Sequence, residues 1–175
     1  MLSLNTITSL LVGVNALLGQ TDGGQSQRPI ELCPEIATRM VLGVRRSTSI
    51  DLAPRVEIRR CGSSGGLQLA AWDAGKHRPD LLLDLYLTNV SRFVAAGNIV
   101  VLVAPGGYDL VMVLQYLKGH ATVAFTDSTH GEISISTAEN RLTTTIGPWA
   151  DNPAKSRTFA VKEDELLPAN TVPPK

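Results

Sequence analysis

The chain has 175 residues, 43% of them hydrophobic and 18% charged, with sixteen basic side chains against sixteen acidic ones. That length suits one domain, and the apolar share can supply a core, which excludes a wholly disordered chain. A formal net charge of zero removes the electrostatic footprint of a nucleic-acid binder, so no nucleic-acid partner is expected.

No charged side chain occurs before Asp22. Within that leader, residues 7–19 (I-T-S-L-L-V-G-V-N-A-L-L-G) are apolar apart from Thr8, Ser9 and Asn15. The run falls short of the about 20 residues needed to span a bilayer. Its length matches the hydrophobic region of a secretory signal, and Ala16 and Gly19 are small residues near a cleavage point, although no Lys or Arg precedes it. Residues 1–20 are therefore read as a candidate signal peptide, with a buried or amphipathic N-terminal helix as the alternative. Residues 21–29 read as a polar linker, 30–162 as a single β-rich domain and 163–175 as a flexible tail. The expected location is secreted or periplasmic, with no membrane span in the mature chain.

The two cysteines, Cys33 and Cys61, allow one intramolecular disulfide, which fits an exported protein; two separate thiols are the alternative for a cytosolic one. Around the first, Pro34 could open a short helix ending at Gly43, with Ile36 and Met40 on one face, or the stretch could run extended.

Beyond Pro54 the hydrophobic period settles at two. Val56 and Ile58 alternate with charged neighbours, as do Leu67, Leu69 and Ala71 with Gln68, Ala70 and Trp72. Leu81, Leu83, Leu85 and Leu87 continue the pattern. Residues 99–103 form an unbroken apolar run, and 110–117 are apolar except for Gln115, so both faces of that second strand should be buried. Lys118-Gly119 makes a tight turn into 122–126, followed by strands over 132–136 and 141–146, with 157–162 as a further edge strand. The connections are too short for crossover helices. The predicted fold is all-β and mainly antiparallel: about eight short strands in a meander, closing as a sandwich or a partly closed barrel.

Chemistry-bearing patterns are sparse. Gly62-Ser63-Ser64-Gly65-Gly66 matches G-x-S-x-G, the turn that exposes a nucleophile in α/β hydrolases. Ser64, followed in chain order by Asp84 or Asp127 and then His130, is the candidate catalytic set of a serine hydrolase. The preceding V-E-I-R-R-C segment is charged where the central strand of that fold is apolar, which favours a plain Gly/Ser hairpin beside the cystine. The loop from Asp73 to Asp80 carries Lys76, His77 and Arg78, a charge that disfavours calcium. His77, His120 and His130 lack metal-ligand spacing, so no metal and no cofactor is expected. Trp72, Arg78 and Tyr108 are the candidate ligand-binding residues, for a protein or carbohydrate partner. Residues 28–60 hold seven bases and four acids. Arg45-Arg46 and Arg59-Arg60 could form a patch for an acidic partner, or the charges of a solvated edge strand. The leading expectation is a small exported, non-catalytic binding or structural module; the alternative is the Ser64 hydrolase.

Overall fold

The structure, a computed structural model, describes residues 31–43, 52–62 and 65–168. The candidate signal, the linker, Arg45-Arg46, Ser64 and residues 169–175 lie outside these. Among the described residues, eleven strands follow one another: β1 (Glu35–Val41), β2 (Arg55–Cys61), β3 (Gly66–Trp72), β4 (Leu81–Asp84), β5 (Arg92–Ala96), β6 (Ile99–Ala104), β7 (Asp109–Leu117), β8 (His120–Thr129), β9 (Ile133–Ala138), β10 (Arg141–Ile146) and β11 (Lys155–Ala160). They form three antiparallel meanders in the orders β1-β2-β3-β4, β5-β6-β7-β8 and β9-β10-β11. The fold is all-β and sandwich-like, built of open stacked sheets and not a barrel. No helix among the described residues is long and apolar enough to cross a membrane.

The second sheet is the middle layer. On one side, Val100 and Leu102 of β6 and Met112, Leu114 and Tyr116 of β7 pack with Val56, Ile58, Leu67 and Leu69 of the first sheet. On the other, Ile99, Val101 and Val103 of β6, with Val111 and Val113 of β7, pack with Ile133, Leu142 and Ile146 of the third. All six residues of β6 are buried, which explains why its sequence runs apolar without alternation. Each fully buried Val, Leu or Ile contributes about 1.5–3 kcal/mol relative to an exposed one.

Three sequence expectations change. The helix alternative over 34–43 is overturned, because β1 pairs with β2 from Glu35↔Arg60 to Val41↔Arg55. The strand count rises because β1 and β5 join the predicted set. The tail expectation is corrected over its first six residues. Asp164–Leu166 form a 3-10 turn, and Leu166, 2% exposed, plugs the first core. Glu165 fastens this turn to the β7–β8 connection: its carbonyl accepts from the Gly119 N–H at 2.7 Å, and its carboxylate from the Lys118 N–H at 2.8 Å. The approach is close. A Cβ on Gly43, whose φ is +58°, would lie 2.6 Å from Leu166 Cδ1.

Cys33 and Cys61 are joined by a disulfide. It holds residues 31–34 against the first sheet, where Gln68 accepts from the Cys33 N–H at 2.9 Å and donates to the Glu31 carbonyl at 3.2 Å.

Candidate functional site

A β-bulge sets the geometry of the open side of the sandwich. Leu114 pairs with Val123, but Val113 pairs with Phe125, so β8 carries one extra residue at Ala124. The insertion switches which residues face inward. Val123 packs toward the first sheet, whereas Phe125 packs against the third-sheet core. Asp127, two residues further along, follows Phe125 to the same side and meets Lys155 of β11 with Nζ–Oδ2 at 3.8 Å.

Beyond β8 the chain makes a second device from two glycines. Gly131 runs so close to the Gly147 carbonyl that a side chain there would collide with it, and the Gly147 N–H donates to the Glu132 carbonyl at 2.7 Å. The crossing delivers the turn after β10, closed by reciprocal backbone hydrogen bonds between Trp149 and Asn152 at 3.1 and 2.9 Å. Trp149 thereby comes over His130, with ring centroids 4.8 Å apart, and Tyr108 from the β6–β7 turn stacks on the same imidazole at 4.1 Å. Tyr108 and Trp149 meet edge-on at 6.1 Å. Both aromatics remain exposed, Tyr108 at 55% and Trp149 at 41%. They line a cleft of about 460 Å³, whose polar lining includes Asp127, Asn152 and Lys155.

The structure separates the sequence-predicted residues. Tyr108 lies in the cleft. Trp72 does not: it is 3% exposed, its indole N–H donates to the His77 carbonyl at 3.2 Å, and the Arg55 guanidinium lies 4.3 Å above its ring. It fills the fold and is closed to a ligand. Arg78 is exposed on the β3–β4 connection. That connection is tied to the β7–β8 turn through the Ala74 N–H and the Gly119 carbonyl. Tyr108 stands at the far end of β7, a strand of nine residues, so Arg78 and Tyr108 do not share a site.

For the hydrolase alternative, Ser64 lies outside the described residues. His130 is occupied by Tyr108 and Trp149, and Asp127 faces Lys155 and accepts from the Ser128 N–H at 2.9 Å. Among the described residues, no hydrogen bond joins Asp127 to His130, the contact by which a carboxylate orients a general base.

Arg59 is likewise absorbed by the fold. It donates to the carboxylate of Glu57, to the Cys33 carbonyl and, at 2.9 Å, to the Pro34 carbonyl. Glu57, 1% exposed, also receives Arg39 at 2.7 Å. Arg55 approaches the same carboxylate at 3.8 Å, so one buried acid faces three arginines on the first sheet; Arg59 is committed to these contacts, while Arg60 stays exposed 3.9 Å from Glu35. His120 meets Asp73 at 2.6 Å, and the same carboxylate accepts from the Ala121 N–H at 2.8 Å, closing the start of β8. No group of three or more potential metal ligands converges among the described residues.

Trp149 was not among the sequence candidates. Its only signal is a Pro-flanked turn, G-P-W-A-D-N-P, and nothing in that string tells that the turn folds back across His130. Compared with known proteins, the chain matches no family model, no curated protein and no solved structure.

Proposed function

We propose that the chain is an exported, non-catalytic binding module that takes a carbohydrate in the Tyr108–Trp149 cleft. The observation that carries this reading is the pair of exposed aromatic rings lining one cleft together with the polar residues Asp127, Asn152 and Lys155. A sugar ring presents C–H faces that stack on aromatic rings and hydroxyls that need a few placed polar partners. Because His130 already braces both rings, they are held ready for contact, and little ordering entropy is lost on binding. Export is supported by the apolar leader and by the cystine, which persists in oxidising compartments.

The test is a fluorescence titration of the folded protein with a panel of soluble oligosaccharides. The chain has two tryptophans, and Trp72 is buried, so a saturable change reports on Trp149. Trp149→Ala should weaken binding by about tenfold or more, as loss of a central aromatic anchor does. If no oligosaccharide class perturbs Trp149, the reading fails. Labelling of Ser64 by a fluorophosphonate would instead favour the hydrolase alternative.

A further inference from the structure

We infer that a recess beside the aromatic cleft is a subsite for a carboxylate-bearing sugar unit, making the ligand an acidic glycan; this rests on the carbohydrate reading of the cleft. The recess, about 180 Å³, opens between β8 and β11, the unpaired edges of the second and third sheets. It shares Asp127, Ile146 and Lys155 with the cleft, so one ligand can occupy both.

Its lining follows from register. β10 and β11 pair Thr144 with Arg157 and Ile146 with Lys155, which puts two cations beside the inward-facing positions of β10. Phe125 and Asp127 arrive from the opposite edge through the bulge in β8. Two features call for a ligand. Thr144 is 1% exposed, and its hydroxyl has no hydrogen-bond partner among the described residues. A buried polar group in that state is costly and is normally satisfied by a protein group, an ordered water or a bound molecule. The charges are also unequal: Lys155 and Arg157 face a single acid, Asp127, which Lys155 approaches only to 3.8 Å.

Arg157 stands over the Phe125 ring at 5.8 Å, a posture that leaves its planar fork of N–H donors available to a carboxylate. A uronate fits this set. Its carboxylate accepts from Arg157 and Lys155, a ring substituent pairs with the Thr144 hydroxyl, and Asp127 accepts from a sugar hydroxyl. Inward-pointing charges on an edge strand also discourage strand addition. That role needs the cations, but it gives no use to an unpartnered hydroxyl between them.

The experiment follows amide resonances of the full chain during titration with monomeric glucuronate and, separately, glucose. Glucuronate should shift Thr144, Lys155 and Arg157, and glucose at equal concentration should not. Arg157→Gln, on an exposed strand, should weaken glucuronate binding about tenfold or more through loss of charge-assisted hydrogen bonds. Thr144→Val should weaken it less and keep the preference for the acid. Equal response to both sugars, no response, or indifference to Arg157→Gln overturns the inference. Glycan binding that depends on Trp149 but shows no preference for acid sinks the subsite alone. Glucuronate binding in the recess together with an inert Trp149→Ala sinks the cleft reading alone.

Discussion

Tyr116 lies wholly buried on β7, with its hydroxyl 3.0 Å from the Arg55 carbonyl and 3.2 Å from the Trp72 carbonyl. Arg55 and Trp72 are register partners on β2 and β3, so one phenol connects the middle layer to two strands of the first sheet. Burial, and then the negative charge of Asp73, push its pKa well above the ordinary 10.0. The folded protein therefore holds the proton after the unfolded chain has released it. The stability this contributes is complete below pH 10.0 and is lost as pH climbs from there toward the folded value. Tyr116→Phe should cost about 1–2 kcal/mol at neutral pH and should flatten the alkaline loss. Denaturant unfolding on both sides of the tyrosine range checks this; an equally steep alkaline loss in the variant would assign the titration elsewhere. At this scale the sequence was partly legible. Tyr108 stands out as an aromatic beside a Pro-Gly-Gly turn, whereas Trp149 acquires its meaning only where Gly131 and Gly147 cross.

Strands show best in the sequence where one face meets a core and the other meets water. The alternation over 55–59 and 67–72 marks β2 and β3 even though their second face is covered as well, with Glu57 and Gln68 each 1% exposed. β1 was ambiguous because E-I-A-T-R-M-V places apolar residues at both helical and extended spacings. β5 was missed because R-F-V-A-A is short, half-buried and weak in contrast. The bulge in β8 was illegible, since an inserted residue depends on the partner strand as much as on its own. Polar composition hid the 3-10 turn, whose one strong signal is Leu166 among acids. That turn makes a prediction of its own. Leu166→Ala should destabilise the fold by about 2–5 kcal/mol, the range for emptying a leucine site in a core. An unchanged thermal midpoint would show that residues 163–168 contribute nothing to packing.

For the whole molecule, the disulfide is the principal covalent constraint on the chain among the described residues. It joins residues 28 apart in sequence, and on the chain-entropy account its closure stabilises the fold by roughly 3–4 kcal/mol. Unfolding with and without reductant should differ by that amount, and coincident curves would contradict it. The loss should appear as earlier unfolding of the entire protein and not as a loosened first sheet. Both apolar cores lean on β6 and β7, so loss of either is expected to weaken the other. Independent layers would come apart one at a time. A shared inner wall instead makes the stack a single cooperative unit, in which damage at either outer face is answered by the whole.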